Sequence, residues 1–379
     1  AIAAIEDSAR AMIVKTANDA KEDVMPGGRW SPMPASAPIW LMAALVFFSG
    51  MAALVLQVSW FREFRLVFGS STAASAAVMA VFMGGLGVGS AVLGRRADRT
   101  PNAVRMYAVL ETGIALAAAA SPWLIDLSRV AYMAMGGQSA LGAAGATLVR
   151  LALCAAAIAL PTFLMGGTLP AAAKAVTACD DGPRRDVARL YGLNTLGAVV
   201  GATVSTFLLL PHLSGRLTLW MACLTGMIVG AVAWVSSCGV RESAGAGILE
   251  IKRSERRPLG AAAPVPLGQD RARRRASSPG ALVQTPLWFV YATACGVGFG
   301  FFVMELVWYR MLGPILGGTT YTFGLILAVA LAGIGVGGAI YPFLFRRLSP
   351  NLNALAMTCG LEAVGIAVFA LTGALMAAR

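Results

Sequence analysis

The chain has 379 residues, of which 58% are hydrophobic and 13% are charged, and its formal net charge is +12 at pH 7. Soluble globular domains carry about 25% charged residues, so this composition, with a mean hydropathy of +0.73, excludes an ordinary soluble domain and indicates a polytopic membrane protein. The basic residues are not grouped with interleaved aromatic residues, which argues against a nucleic-acid-binding protein.

Residues 1–37 precede the first long apolar run. Apolar residues recur there at helical spacing with charged residues on the other faces, a pattern that fits either an amphipathic helix at an interface or a loosely ordered cytoplasmic arm. The chain does not begin with Met, and we therefore expect it to be processed or to be part of a longer product.

The rest of the chain contains nine apolar runs near the length of about 20 residues that spans a bilayer. The predicted spans cover residues 39–60, 72–94, 105–125, 144–168, 190–211, 216–237, 286–308, 320–344 and 352–376. Residues 130–145 are glycine-rich, which predicts an outer loop or a short interfacial segment. The sequence thus divides into a six-helix half (38–237), a charged linker rich in Pro, Gly and Ser (238–285) that we expect to be disordered, and a partial second half (286–379).

The distribution of Lys and Arg predicts the orientation. Twenty-three of the 30 basic residues fall in the arm, the linker and the loops on the same side, and seven fall on the opposite side. The positive-inside rule then places the N-terminus and the linker in the cytoplasm.

A repeat relates the two halves. Residues 50–91 recur at an offset of 248 residues, which places Trp60 on Trp308 and Arg62 on Arg310 without a gap. Because six spans precede the linker and the seventh span repeats the first, both copies run in the same direction, which predicts a parallel repeat like that of the major facilitator architecture. With only three spans after the linker, the second half is incomplete, and we expect a further segment after Arg379 or a shortened second half.

Glycine clusters recur in the second span of each half, with Gly85 and Gly89 in one copy and Gly333 and Gly337 in the other. A nucleotide-binding loop would need a preceding strand, whereas glycines inside apolar spans let helices pack closely. We therefore predict that these four glycines are helix-packing residues.

Polar residues inside the spans are the candidate functional residues, because a charge in lipid is costly. They are Glu111, Glu305 and Glu362, together with Gln57, which is equivalent to Glu305, and Asn194, which we expect to join helices. Either the glutamates form structural ion pairs, such as Glu305 with Arg310, or they line a polar cavity for an ion or amine.

A cytoplasmic loop after the second span holds Arg95, Asp98 and Arg99. This arrangement resembles the loop signature of major facilitator transporters, in which an acid and basic residues tie helix ends together, although ordinary positive-inside charge explains it equally well. The six cysteines have no paired spacing and the single histidine is His212, so the sequence predicts no metal site and no cofactor. Pro161 and Pro170 predict a kinked or broken fourth span.

Several motifs in order resemble the membrane region of bacterial fused spermidine-synthase-like proteins. They are QVSWFR with VFGSST, FMGGLGVGS, LPTFLMGGTLP and LYGLNTLGAVVGA, and then ELVWYR with LGGTTYT in the second copy. The resemblance covers residues 39–379 and implies a polyamine connection and a location in the bacterial inner membrane. In that family the spans usually precede a soluble aminopropyltransferase-like domain, and this chain contains no such catalytic domain.

Three functional hypotheses follow. The chain is a non-catalytic anchor, scaffold or solute-handling module of a spermidine-synthase-like protein; or it is a secondary transporter of a small, cationic amine; or it is an accessory subunit of a membrane complex. The expected partners are the lipid bilayer and either other membrane subunits or a missing C-terminal domain.

Overall fold

The computed structural model describes residues 39–69, 71–176, 183–255, 287–317, 320–344 and 352–377. Every secondary-structure element in these ranges is helical. The elements are α1 Ile39–Phe68, α2 Thr72–Arg99, α3 Ala103–Ala119, α4 Ser121–Ala134, α5 Gly137–Val176, α6 Pro183–Val204, a π-helical segment Ser205–Leu209, α7 Leu210–His212, α8 Gly215–Glu255, α9 Leu287–Leu316, α10 Thr320–Leu344 and α11 Leu352–Ala377.

Eight helical stretches among the described residues are long and apolar enough to cross a membrane. They are Ile39–Phe68, Thr72–Arg99, Ala103–Ala134, Gly137–Val176, Val187–His212, Gly215–Cys238, Tyr291–Leu316 and Thr320–Gly337. A shorter apolar stretch, Ala356–Val368, lies in α11, where the ninth span is predicted. The all-helical membrane class is therefore confirmed, and these apolar surfaces suit a lipid bilayer.

The helices form one compact unit, Ser36–Val240 with Ala263–Arg379. Of the second unit, Ala1–Ala35 with Arg241–Ala262, only the helical backbone of residues 241–255 is described. That helix covers the first part of the linker predicted to be disordered, because its Ala, Leu, Glu, Lys and Arg residues favour a helix. The predicted arm (1–37) and the rest of the linker (256–285) lie outside the described residues.

Two predicted boundaries differ from the structure around the third and fourth spans. The segment 130–145 is not a loop: α4 continues to Ala134, and α5 begins at Gly137. After its first residue, α5 has one non-helical residue, Gly142, with φ 67°, whereas the backbone stays helical at Pro161 and Pro170. Hydroxyl groups nearby support this helix, since Thr162 donates to the carbonyl of Ile158 at 2.8 Å.

One close helix contact joins α2 with α5. A Cβ atom at Gly85 would collide with the Thr162 side chain, and one at Gly89 would collide with the carbonyl oxygen of Phe163. From the opposite helix, Gly166 approaches the backbone of α2 near Leu86 in the same way. Small residues on both sides therefore let the two backbones touch, as membrane helix packing requires.

A second close crossing joins α1 with α6. Gly197 and Gly201 lie against the carbonyl groups of Phe47 and Met51, and Gly50 lies against Asn194. Asn194 is thus placed at a helix-packing contact, where both its backbone oxygen and its Oδ1 atom face Gly50. The spacing of Gly197 and Gly201 is itself the small-xxx-small pattern of close helix packing.

The glycines of the second copy behave differently. A Cβ atom at Gly333 or Gly337 would meet open space among the described residues, so the packing role of these two positions stays a prediction. Instead, α10 contacts α6 and the π-helical segment through Gly324, against Thr206, and Gly335, against Thr195. Gly333 and Gly337 lie one turn apart on another face of the helix.

The main hydrophobic core surrounds Trp60 of α1. This residue is fully buried, and its indole N–H donates to the Ser121 hydroxyl at 2.8 Å. Trp60, Phe64 and Phe68 pack against residues of α2, α5 and α8 in one cluster. Burying an aromatic ring of this size, with its one polar atom bonded, fixes the position of α1 in the bundle.

Candidate functional site

A separate hydrophobic cluster joins the first six spans with α9 and α10, and we call it the inter-half cluster. Val58, Phe61 and Met79 belong to the first repeat copy, and Tyr309 with residues of α10 belongs to the second. Its buried members are Val58, Phe61, Met79, Ala202, Leu210, Tyr309, Phe323, Ile326, Leu327 and Ala328. The two halves thus meet through side chains of the repeated segment.

Aromatic rings form the centre of the inter-half cluster. Phe61 stacks on Phe323, with ring centroids 3.7 Å apart and planes 13° from parallel. Phe61 also meets Tyr309 edge-on, at 5.8 Å. The guanidinium of Arg65 lies 5.5 Å from the Phe61 ring centroid and 5.4 Å from that of Tyr309. A cation already contacts this aromatic pair, which is the geometry of a cation–π interaction.

Glu305 lies on the face of α9 that points into the protein. Among the described side chains of α9, the buried ones are Glu305, Tyr309 and Gly313, which recur at helical spacing. Glu305 is 1% exposed. Since Tyr309 is one turn away and packs in the inter-half cluster, the Glu305 carboxyl lies beside that cluster.

Both carboxyl oxygens of Glu305 are buried without a hydrogen-bond partner among the described residues. The predicted ion pair with Arg310 is absent from this part of the chain, where Arg310 is exposed. An unpartnered carboxyl in an apolar environment costs several kcal/mol in principle. Residues of this kind in membrane proteins mark sites for ions or solutes.

Other buried polar groups lie on the helices that meet at the inter-half cluster. Gln57 is 3% exposed, and its amide nitrogen contacts the Met79 sulfur at 3.9 Å. The hydroxyls of Ser75, one turn from Met79, and of Thr206 are buried without a partner among the described groups. Thr206 belongs to the π-helical segment, and such segments occur often at functional sites.

Glu111 occupies a different environment on α3. It is 2% exposed and accepts a hydrogen bond from the Ser49 hydroxyl at 2.5 Å. The buried hydroxyl of Tyr107 lies next to both groups. Ser49 also lines a small, mainly apolar cavity between α1, α3, α5 and α8. The described residues give Glu111 no arginine partner, so it is joined to its neighbours by hydrogen bonds rather than by an ion pair.

Glu362 is exposed on α11. The three glutamates that the sequence suggests for one central cavity are therefore separated: Glu305 lies beside the inter-half cluster, Glu111 bonds to Ser49 of α1, and Glu362 lies on the surface. Because these membrane helices are apolar on all sides, the sequence does not show which of their polar residues faces the protein interior and which faces lipid.

The loop residues Arg95, Asp98 and Arg99 lie at the exposed end of α2. No ion pair joins Asp98 with either arginine within the part of the chain that the structure describes. His212 is exposed at the end of α7, and no cluster of potential metal ligands occurs among the described residues.

Comparison with a set of protein-family models, with curated proteins and with solved structures found no match. Inference about function therefore depends on the residues and the geometry of this chain.

Proposed function

We propose that this chain is a solute-handling membrane module, with a binding site for a small organic cation at the inter-half cluster. Glu305 provides the negative charge, and the neighbouring aromatic rings provide the apolar surface. The observation that supports this proposal most strongly is the Glu305 carboxyl, which is 1% exposed and has both oxygens unpartnered among the described groups. A bound cation would offset the cost of burying that carboxyl.

The repeat supports the same location. Phe61 and Tyr309, which contact each other, are equivalent positions of the two copies. Met79 and Leu327 are also equivalent, and both belong to the inter-half cluster. Contacts between equivalent residues are expected when two copies face each other across an approximate two-fold axis. Transporters with parallel repeats, including the major facilitator class, hold their solutes between the repeats.

The chemistry of the site favours an ammonium or guanidinium group. Carboxylates and aromatic rings together recognise organic cations, through charge and through the negative faces of the rings. Arg65 already places a guanidinium against Phe61 and Tyr309. Since Glu305 lies one turn from Tyr309, a second cation would contact the carboxyl and the same aromatic group from another direction.

The resemblance to spermidine-synthase-like proteins suggests which cations to test. We propose that the solute is a polyamine or a diamine. We also propose that the protein lies in the inner membrane with its N-terminus in the cytoplasm. The second repeat copy, with α9 and α10, supplies the acid that the first copy lacks, because Gln57 stands at the position equivalent to Glu305.

Uptake into proteoliposomes tests this proposal. Purified full-length chain is reconstituted, and entry of labelled putrescine and spermidine is measured for wild type, Glu305→Gln and Glu362→Gln. We expect Glu305→Gln to lower the initial rate by about ten-fold or more, because a charge-assisted hydrogen bond is lost. Glu362→Gln removes the same charge from an exposed position and serves as the matched control. Equal uptake by all three proteins would contradict the assigned role of Glu305.

A scaffold role is the second candidate, and the surface of α9 favours it. In the most apolar stretch of α9, only 6% of the residues are buried, and large apolar side chains such as Phe299 and Ile315 are exposed. Lipid or further membrane helices would cover this surface. Native mass spectrometry of the complex extracted from membranes tests the scaffold role, which predicts a stoichiometric protein partner. Release of single chains with bound lipid only would contradict it.

A further inference from the structure

Arg150 of α5 is a buried cation at the end of the bundle where α1 and α4 finish. It is 3% exposed. One terminal nitrogen donates to the carbonyl oxygen of Phe68 at 3.4 Å and to the side-chain oxygen of Gln138 at 2.9 Å. Its Nε–H group is buried without a partner among the described residues. A guanidinium carries five N–H donors, and only two hydrogen bonds to described residues are formed, both through one terminal nitrogen.

The charge of Arg150 is not neutralised by an acidic side chain in the described part of the chain. The ion pairs found there join Arg216 with Asp126 and Arg62 with Glu63. Glu63 is also the acid that lies close to Arg129. The carbonyl end of α1 offers Arg150 a partial negative charge of about half a unit. A buried cation with so little compensation attracts an anion.

Tyr132 adds a second unused polar group beside this cation. Its ring centroid lies 5.5 Å from the guanidinium carbon of Arg150, and its ring packs edge-on against Phe68. The Tyr132 hydroxyl is buried without a hydrogen-bond partner among the described residues. Two unused donors, one of them charged, therefore lie close together under the surface.

Gln138 separates this pair from the exterior. It is exposed, and its side-chain oxygen occupies one N–H group of Arg150. It stands between Gly137 and Gly142, both of which have positive φ angles. Glycine adopts such angles without strain. Because the Gln138 side chain is exposed, it can rotate away from the guanidinium when another acceptor takes its place.

We propose that Arg150 and Tyr132 form a binding site for a phosphate group, with Gln138 as the acceptor that the phosphate displaces. Guanidinium groups bind phosphate oxygens through paired N–H donors, and a tyrosine hydroxyl donates to the same kind of oxygen. The site lies at the ends of membrane helices, so the phosphate belongs either to a lipid headgroup or to a free solute. It is separate from the site proposed around Glu305 and does not depend on it.

Thermal unfolding of the full-length chain in a maltoside detergent tests this site. The delipidated protein is titrated with inorganic phosphate in one arm and with short-chain phosphatidylglycerol in the other. We expect a saturable rise in Tm in at least one arm. Saturation only by phosphate identifies a free solute, and saturation at lower concentration by the lipid identifies a headgroup.

Variants of the same residues decide whether the rise depends on the site. Arg150→Gln should abolish it, and Tyr132→Phe, which removes only an oxygen, should raise the half-saturating concentration by about ten-fold. Gln138→Ala should bind the phosphate group at least as tightly as wild type does, because the side-chain oxygen that competes for Arg150 is gone. Arg129→Gln removes a charge from an exposed arginine on α4 and should leave the titration unchanged.

Three results would overturn the proposal. One is the absence of a saturable rise in both arms. Another is a rise of the same size in wild type and Arg150→Gln. If Arg150→Gln does not fold, the third result is a half-saturating concentration that is the same in Tyr132→Phe as in wild type, which would also overturn the proposal. Weaker binding by Gln138→Ala would contradict the role given to that residue.

Discussion

Helices α1 and α9 are copies of one sequence unit, yet they occupy different environments. In the most apolar stretch of α1, 39% of the residues are buried inside the protein, whereas in that of α9 only 6% are buried. Trp60 is fully buried and bonded to Ser121, whereas its equivalent Trp308 is only partly buried. The repeated pattern therefore gives a helix at equivalent positions twice, but the tryptophan that both copies share is part of the core in only one of them.

Truncating the repeated tryptophans should show this difference most strongly. We expect Trp60→Ala to lower the free energy of unfolding by about 3–5 kcal/mol, because it empties a packed core position and leaves the Ser121 hydroxyl without its donor. Trp308→Ala should cost much less. Unfolding of both variants in detergent, followed by circular dichroism, gives the two values. Equal losses would show that α9 is as enclosed as α1.

The repeated glycines provide a second matched pair. Gly89→Ala should destabilise the protein by about 1–3 kcal/mol, since the new methyl group would collide with the backbone of α5 at Phe163. Gly337→Ala should be neutral or slightly stabilising, because its position is open and Ala favours helix more than Gly does. Melting temperatures of the two variants in one detergent test this. A loss of stability in Gly337→Ala would place a helix against α10 at that position.

The sequence predicts the helices better than their contacts. Long apolar runs determine where a helix can span a bilayer, so the first span is predicted to begin at residue 39, where α1 begins. Contacts are harder to predict, because lipid and protein interior are equally apolar and the pattern of hydrophobic residues does not mark the inward face. For this reason Gly85 and Gly333 look alike in sequence, although of the two only Gly85 contacts another helix among the described residues.

The residues of the candidate site were also hard to predict, because the sequence does not show which side chains are buried. Charge within a span singles out Glu305 and Glu362 alike, but only the structure distinguishes the buried side chain from the exposed one. In the sequence, Arg150 is only one of the seven basic residues on the side opposite the arm, since neither its burial nor its approach to Phe68, 82 positions away in the chain, has a local signal. In contrast, the spacing of Gly197 and Gly201 is visible in the sequence and could have predicted the close packing of α6 against α1.

The two buried glutamates should respond in opposite ways to the removal of polar groups. Ser49→Ala removes the hydroxyl that donates to Glu111 and should cost about 1–3 kcal/mol, because a buried acceptor loses its partner. Glu305→Met, with a side chain of similar size, should instead stabilise the protein by about 0.5–2 kcal/mol, as substitutions at strained functional sites commonly do. Denaturant titrations of both variants test this contrast. Destabilisation by Glu305→Met would indicate that its carboxyl has a structural role.

The smallest expected effect concerns Arg65, whose equivalent in the second copy is Gly313. Arg65→Gln removes the cation from the faces of Phe61 and Tyr309, and we expect a loss of about 0.5–1 kcal/mol. A double-mutant cycle with Tyr309→Leu isolates the part that the ring contributes. A coupling energy of zero would mean that the guanidinium gains nothing from that ring.

Binding of a cation at Glu305 is the central claim, and solute-dependent thermal stability measures it most directly. The Tm of purified wild type, Glu305→Gln and Glu362→Gln is recorded against increasing putrescine and spermidine at constant ionic strength. We predict a saturable rise for wild type and Glu362→Gln, and no rise for Glu305→Gln. A saturable rise of equal size in Glu305→Gln, or no rise in any of the three proteins, would contradict the site.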